Sequence, residues 1–161
     1  MHTVAVYAGS FDPITLGHVD IVRRGATLFE EVIVAVGQNP AKRYTFDLAE
    51  RVSIIESALE GIPNVRVDVF EGLLVDYCEK VGARVILRGL RAVTDFEFEF
   101  KIGLANMDMA PSIQTVFLLT EPGMLFVSSS LIREIASHKG DVSKYVPKAA
   151  SEALVRLYGS R

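Results

Sequence analysis

The chain has 161 residues, with 17 basic and 20 acidic side chains and a formal net charge of −3 at pH 7. This length is typical of one domain that buries about two-thirds of the surface exposed by its unfolded chain. The slightly acidic balance excludes the basic surface that binding to nucleic acid requires, so we expect no nucleic acid as a partner.

The first strand is predicted at residues 4–8, an apolar run close to the N-terminus. No basic leader or long apolar segment precedes it, and we expect neither a secretion signal nor a membrane span. Further strands are predicted at residues 32–36, 65–70, 85–87 and 116–119. Because helical patterns separate these runs, the sequence predicts one α/β domain over residues 1–161. Helices should flank its five-stranded parallel sheet, as in a Rossmann-like fold of the dinucleotide-binding type.

A turn and a helix follow the first strand. The turn starts at Gly9, and His18 lies in the first turn of a helix whose apolar face contains Val19, Val22, Ala26 and Phe29. A glycine lets backbone N–H groups approach a ligand closely, and the N-terminus of a helix attracts an anion. His18 is therefore placed to donate a hydrogen bond to a bound phosphate.

The later helices have clear start and stop signals. Asp47, followed by Glu50, is typical of a capping box, and the helix that it begins should end before Gly61. Another short helix is predicted at residues 73–81. The helix after the serines at 128–130 should stop at Gly140, and the C-terminal helix should cover residues 147–158.

Cys78 is the single cysteine of the sequence and lies at helical spacing from Leu74, Tyr77 and Val81. We interpret it as a small core residue. A chain with one cysteine cannot form an internal disulfide, and this predicts a protein of the reducing cytoplasm.

The segment at residues 95–101 fits two periodicities. Its polar and apolar residues alternate as in a half-buried strand, whereas Phe96, Phe100 and Leu104 are spaced as on one face of a helix. These residues taken alone slightly favour the strand.

Motif-bearing segments follow all five predicted strands, at residues 9–18, 39–43, 72–74, 88–91 and 124–130. The carboxyl ends of parallel strands meet at one edge of the sheet, and ligands bind there at the point where the strand order reverses. The sequence therefore predicts one ligand site built from these segments.

The site motifs belong to neither of two common nucleotide-binding types, because the sequence has no G-x-G-x-x-G after the first strand and no P-loop. Residues 15–18, Thr-Leu-Gly-His, resemble the T-x-G-H signature of the nucleotidyltransferase superfamily related to class I aminoacyl-tRNA synthetases. Residues 127–130, Val-Ser-Ser-Ser, resemble its second signature. With the phrases at 9–13, 88–91 and 95–97, the chain from Val4 to about Pro147 resembles the bacterial phosphopantetheine adenylyltransferase family.

This resemblance implies an enzyme that transfers AMP from ATP to 4′-phosphopantetheine and releases dephospho-coenzyme A and pyrophosphate. Mg²⁺ would enter with ATP, and no protein residue is assigned as a metal ligand. The resemblance also implies a homohexamer, feedback inhibition by coenzyme A, and a helix in place of the strand at residue 95, running to about Met109.

The resemblance assigns roles to named residues. Four are catalytic: His18 on the α-phosphate, Ser10 on the acceptor phosphate, Lys42 on the developing charge, and Arg91 on the ATP phosphates. Contacts to phosphopantetheine are implied for Ser10, Lys42, Leu74, Arg88 and Asn106. Contacts to ATP are implied for Ser10, Phe11, His18, Gly89, Leu90, Arg91, Glu99, Met124, Leu125, Phe126, Val127, Ser128, Ser129 and Ser130.

Several of these residues also have a purely structural interpretation. His18 is then a satisfied structural histidine, Ser10 a turn residue, Glu99 a charge on an exposed helix face, and one of the three serines an N-cap. The chain departs from the family at Phe98, where tyrosine is common, and at residues 124–126, a segment that is more polar in the family. Both departures lie near the expected adenine pocket.

Two other functions stay open at this point. One is a different T-x-G-H nucleotidyltransferase, acting on nicotinate mononucleotide or transferring a cytidylyl group. The other is a sensor that binds a nucleotide or coenzyme A without catalysis. The segments at 88–91 and 95–97 argue against the first, and the retention of His18, Lys42, Arg88 and Arg91 argues against the second.

Overall fold

Strands and helices alternate along the chain, as its apolar periodicity predicts. The structure is a computed structural model that describes residues 3–161, the side chain of Thr94 excepted. Its elements in chain order are β1 (Val4–Gly9), α1 (Leu16–Leu28), β2 (Glu31–Gln38), α2 (Leu48–Ala58), β3 (Val65–Glu71), α3 (Leu74–Lys80), β4 (Val85–Leu90), α4 (Val93–Met109), β5 (Gln114–Leu119), a 3₁₀ turn (Pro122–Met124), α5 (Ser129–Ser137) and α6 (Lys148–Tyr158).

The strands form one parallel sheet in the order β3-β2-β1-β4-β5. The central strand β1 pairs with β2 along its whole length, from Val4 opposite Glu31 to Gly9 opposite Val36. The strand order reverses between β1 and β4, which places the expected ligand edge at the carboxyl ends of these two strands. The predicted five-stranded α/β architecture is confirmed.

Apolar side chains cover both faces of the sheet. One core cluster joins β1 and β2 to α1, α2, α5 and α6, and a second joins the opposite face to α3 and to the segment after α4. Strands covered on both faces read as continuous apolar runs, which is why they were visible in the sequence. Cys78 is fully buried in the second cluster, as predicted, and burial raises the pKa of its thiol to about 11.

The capping signals place the helix ends well, with one correction. Asp47 caps α2 as predicted, because its Oδ1 accepts the backbone N–H of Glu50 at 2.8 Å. At the end of α5 the left-handed residue is Lys139, with φ of 60°, and not Gly140. Gly140 is needed for space, since a β-carbon there would lie 2.5 Å from Cγ2 of Ile135.

Residues 93–109 form the helix α4, so the strand that the alternating pattern favoured is wrong and the family-based expectation is confirmed. β4 and β5 are parallel, and the chain must cross over between them. On the helix, the rings of Phe96 and Phe100 stack at a centroid distance of 5.6 Å, whereas Phe98 is 65% exposed. The alternation therefore places apolar residues on opposite sides of a helix.

The strand β4 extends further than its apolar run. The sequence places Arg88, Gly89 and Leu90 after the strand, but they lie in it and pair with Phe117, Leu118 and Leu119 of β5. Backbone pairing continues after the side chains stop being apolar, because it requires only N–H and C=O groups.

No helix within residues 3–161 is both long enough and apolar enough to cross a bilayer.

Candidate active site

Four of the five motif segments line one cavity of about 310 Å³ at the carboxyl ends of β1 and β4, whereas the segment at residues 72–74 does not reach it. The segment after β1, the end of β4, the start of α4 and the start of α5 all contribute to its wall. The predicted site residues that line it are Ser10, Phe11, His18, Lys42, Arg88, Gly89, Arg91, Glu99, Met124, Val127, Ser128, Ser129 and Ser130.

The turn after β1 is strained at Phe11, which has φ of 46°, a conformation that side-chain-bearing residues rarely adopt. The ring of Phe11 is buried against Tyr7 and His18, at centroid distances of 5.5 and 5.2 Å. A β-carbon on Gly9 would lie 3.1 Å from this ring, so Gly9 makes room for it. The ring of Phe11 thus supports the ring of His18 from behind.

His18 is held by the N-terminal cap of its own helix. The backbone N–H of Thr15 donates to Nδ1 of His18 at 3.0 Å, and the hydroxyl of Thr15 accepts the backbone N–H of His18 at 3.3 Å. A ring nitrogen that accepts a hydrogen bond has no proton, so the neutral ring has its proton on Nε2. Nε2 is therefore the donor that His18 can offer to a ligand.

The neutral form of His18 is strongly favoured. Burial and, to a smaller extent, the positive charges of Arg91 and Arg88 together lower its pKa to about 4. In the absence of a ligand His18 is thus an uncharged N–H donor at neutral pH. The ligand-free protein therefore presents the hydrogen-bond donor of a neutral ring.

Arg88 and Glu99 form a close pair in the wall. Nε of Arg88 donates to Oε2 of Glu99 at 2.7 Å, Nη2 donates to Oε1, and Nη1 donates to the carbonyl of Ala8 at 2.8 Å. Burial disfavours the charged form of Arg88, but the hydrogen bonds that it donates to Glu99 hold its pKa above the ordinary value. Glu99 is thus bonded to Arg88, and its assignment as a nucleotide contact stays a prediction.

Arg91 connects two of the motif segments. Its Nε donates to Oδ2 of Asp95 at 3.0 Å, and its Nη1 donates to the carbonyl of Val127 at 2.8 Å. The first contact orients the guanidinium, and the second joins the end of β4 to the segment that precedes α5.

The three serines have different partners. The hydroxyl of Ser128 caps α5 by accepting the backbone N–H of Leu131 at 3.1 Å. The hydroxyl of Ser129 donates to the carbonyl of Pro13 at 2.8 Å, which ties the second signature to the first. Ser130 is exposed, and the first N–H groups of a helix have no intrahelical partner. The start of α5 can therefore offer a hydroxyl and backbone donors to an anion.

Ser10 and Lys42 also meet in the wall of the cavity. Nζ of Lys42 donates to Oγ of Ser10 at 3.3 Å. The loop that contains Lys42 is fixed by Asp12, whose carboxylate accepts the backbone N–H groups of Thr45 and Phe46 at 2.8 and 3.0 Å. The carboxylate of Asp12 is thus engaged in holding this loop.

A second cavity of about 100 Å³ lies beside the first. Leu74 and Asn106 line it, and the Arg88–Glu99 pair lines both cavities. The residues predicted to contact phosphopantetheine therefore line two neighbouring cavities, and the Arg88–Glu99 ion pair belongs to the wall of both.

Three predicted nucleotide contacts lie outside the lining of either cavity, as far as residues 3–161 define it: Leu90, Leu125 and Phe126. The ring of Phe126 contacts Tyr145 instead, at a centroid distance of 5.4 Å. The assignment of these three residues to ATP stays a prediction.

Sequence reasoning missed Arg133 and Tyr7, which also line the cavity. Nη1 of Arg133 donates to the carbonyl of Asp12 at 2.6 Å, and Nη2 approaches Oγ of Ser130 at 3.4 Å. The helical spacing of three residues from Ser130 could have revealed Arg133. Tyr7 lies inside an apolar run and gave no such signal, and burial raises the pKa of its hydroxyl well above the ordinary value.

The carboxylates of the cavity wall are engaged by other groups of the protein. Asp12 is bonded to backbone N–H groups, Asp95 to Arg91, and Glu99 to Arg88. Among the described residues, no group of three or more His, Cys, Asp or Glu could hold a metal ion.

Similar proteins were found by sequence and by structure. The family model of cytidylyltransferase-like proteins matches residues 6–135. The phosphopantetheine adenylyltransferase of Caldanaerobacter subterraneus subsp. tengcongensis is 50% identical over 155 residues, which cover 96% of this chain and 97% of the relative. That of Heliobacterium modesticaldum is 54% identical over 157 residues, which cover 98% of this chain and 94% of the relative.

A solved structure has the same fold at low identity. It is the nicotinic acid mononucleotide adenylyltransferase of Plasmodium falciparum complexed with NaAD, which superposes with a TM-score of 0.73 at 16% identity. The alignment covers 100% of this chain and 99% of that one.

Proposed function

Because the chain belongs to the cytidylyltransferase-like family and the relatives that share about half of its residues are phosphopantetheine adenylyltransferases, we infer the same activity for it. The chain transfers AMP from ATP to 4′-phosphopantetheine and releases dephospho-coenzyme A and pyrophosphate. The structural observation that supports this function most is the cavity in which His18, Lys42, Arg88 and Arg91 converge. Cations and N–H donors of this kind can position the phosphates of ATP and of 4′-phosphopantetheine.

The chemical step that we propose is a direct in-line displacement. A phosphate oxygen of 4′-phosphopantetheine attacks the α-phosphorus of ATP, the bond to the bridging oxygen breaks, and pyrophosphate leaves with its electron pair. The attacking phosphate monoester is already ionised at neutral pH, so the step needs no general base and no covalent enzyme intermediate. The protein contributes position and charge stabilisation.

The residues divide between the two substrates. His18 would donate its Nε2–H to the α-phosphate, while Arg91 and the start of α5 hold the outer phosphates of ATP. Ser10, Lys42 and Arg88 would hold the acceptor phosphate at the opposite end. The adjoining cavity lined by Leu74 and Asn106 would receive the pantetheine arm.

Mg²⁺ is proposed to arrive as part of the ATP complex. The three wall carboxylates, those of Asp12, Asp95 and Glu99, are already bonded to protein groups, so the ion would be held by phosphate oxygens of ATP and by water. The chain's own role is to bind and orient the phosphates that hold the ion.

The function is tested by mixing the protein with Mg²⁺ and ATP and either 4′-phosphopantetheine, nicotinate mononucleotide or no acceptor. We expect dephospho-coenzyme A and pyrophosphate, detected by mass spectrometry, only in the first mixture. Product in the second mixture would move the assignment to the nicotinate enzymes. Tight nucleotide binding without product in any mixture would indicate a sensor.

Homohexamer assembly is proposed from the resemblance and is supported by exposed apolar residues on two neighbouring elements, α4 and β5. Val93 and Phe98 on α4 are 79% and 65% exposed, and Leu119 at the end of β5 is 74% exposed. Exposed apolar side chains that group together are typical of contacts between subunits.

Light scattering of the purified protein is expected to give about six times the 17.7 kDa mass of one chain. Phe98→Glu should lower this mass, because a charge cannot be buried cheaply in a subunit contact. Leu28→Glu is the matched control, since Leu28 is similarly exposed but lies on α1. A wild-type mass of one chain would refute the assembly.

Coenzyme A contains the phosphopantetheine and adenylate groups of the product, so it would compete for the same cavity. The reaction rate in the presence of coenzyme A measures this feedback inhibition.

The cytoplasm remains the proposed location, and the free thiol of Cys78 agrees with a reducing compartment.

The nicotinate mononucleotide reaction is the less supported alternative. The solved nicotinic acid mononucleotide adenylyltransferase is only 16% identical to this chain, which shows a shared fold and not a shared substrate.

A further inference from the structure

Arg51 of α2 is buried in a way that is unusual for arginine. It is 1% exposed, and none of the ion pairs among the described residues involves it. Its Nε also has no hydrogen-bond partner within the part of the chain that the structure describes. Charged side chains are almost never fully buried without a partner, because desolvation of the charge is costly. The position of Arg51 therefore calls for a functional explanation.

The contacts of Arg51 join the ends of two strands. Its Nη1 donates to the carbonyl of Ser10 at 2.8 Å and to the carbonyl of Gly37 at 3.1 Å. Ser10 directly follows β1, and Gly37 lies near the end of β2. The guanidinium also packs on the ring of Tyr44, with Cζ 3.9 Å from the ring centroid. A single buried cation thus holds two strand ends and one loop.

The same groups lie under the place proposed for the acceptor phosphate. A groove of about 330 Å³ is lined by Ser10, Gly37, Lys42 and Tyr44, among others, whereas Arg51 is not part of its lining. Nζ of Lys42 lies 5.6 Å from the centroid of the Tyr44 ring and donates to Oγ of Ser10. Arg51 therefore lies behind the groups that would touch the phosphate.

Two physical effects follow from this position. Carbonyl oxygens at the edge of an anion site repel a phosphate, and Arg51 engages two of them from the protein side. In addition, a cation in a poorly solvated position acts on a nearby anion with little screening. Both effects favour an anion in the groove next to Ser10 and Lys42.

We propose that Arg51 is a positioning residue for the acceptor phosphate. It fixes the Ser10 turn and the Tyr44 ring and thereby sets Ser10 and Lys42 in the geometry that receives the phosphate of 4′-phosphopantetheine. It makes no contact with ATP. This inference rests on the proposed function, because it assumes which phosphate enters the groove.

The test compares the KM values for the two substrates in Arg51→Met and Arg51→Lys. Arg51→Met should raise the KM for 4′-phosphopantetheine by about tenfold or more, because the carbonyls lose their donor, with the KM for ATP changed by less than about twofold. Arg51→Lys should give a smaller rise of about threefold, because an ammonium group can still donate to the carbonyls. A merely structural role would not separate the two substrates.

The matched control is Ile54→Ala, which removes a buried apolar side chain from the same helix. It should lower the melting temperature and leave both KM values near those of the wild type. If Arg51→Met does not fold, the selective change in Arg51→Lys decides the question.

Equal changes in both KM values, or none in a folded Arg51 variant, would overturn the proposal for Arg51. If the wild type forms no dephospho-coenzyme A at all, the proposed function fails instead. The two failures are thus distinguishable in one series of assays.

Discussion

His18→Ala is expected to lower kcat by about 100- to 1,000-fold and to leave the fold intact. The mutation removes the Nε2–H donor, and loss of one donor to a developing oxyanion costs this much in other transfer enzymes. Stability should fall by only about 1 kcal/mol, because the hydroxyl of Thr15 still caps α1 after Nδ1 is lost. Steady-state kinetics with both substrates saturating, together with a thermal melt, measure the two effects.

His18→Gln is the matched control for this prediction. Its amide keeps an N–H donor, so it should retain more activity than His18→Ala. Because the pKa of His18 is lowered to about 4, the comparison at pH 7 to 8 involves the neutral ring of the free enzyme. A near-normal kcat for a folded His18→Ala variant would remove His18 from the chemical step.

Arg88→Met should reduce both activity and stability. Activity should fall by about 100-fold or more, because the arginine fork that would hold the acceptor phosphate is lost. The free energy of unfolding should fall by about 2 to 3 kcal/mol, because Glu99 then keeps a buried carboxylate without its cation. We expect a smaller loss of stability than for a fully buried ion pair, because the Arg88 side chain is 29% exposed.

The double variant Arg88→Met/Glu99→Gln separates the two effects. It should regain most of the lost stability in urea unfolding, because the unpaired carboxylate is gone, while activity stays low. Arg156→Met is the surface control, since the Arg156–Glu50 pair is exposed and should be worth less than about 1 kcal/mol. Recovery of activity together with stability would show that Arg88 acts only through the fold.

The strands could be predicted from local pattern, and the reason is burial. Strands β1 and β2 are covered on both faces, so nearly every residue in them is apolar and the run is visible in the sequence. The end of β4 was missed because Arg88 and Gly89 pair through their backbones, while the charged side chain of Arg88 and the backbone of Gly89 line the cavity.

The helix α4 could not be predicted from its own residues. Its phenylalanines alternate with charged residues, and the core of one chain leaves several of them exposed. A pattern of this kind depends on what surrounds the helix, which local periodicity does not contain.

The members of the candidate site were largely predictable, because each follows a strand and parallel strands end at the same edge of a sheet. Their partners were not. The pairing of Arg88 with Glu99, the bond from Ser129 to the Pro13 carbonyl, and the burial of Arg51 under Ser10 join residues that are distant in the chain. Order along the chain was therefore enough for the architecture and for the edge at which a ligand is expected, and the family resemblance added the cations near it. The protonation state of His18 and the bonding of the wall carboxylates depend on packing between segments, and these properties required the folded structure.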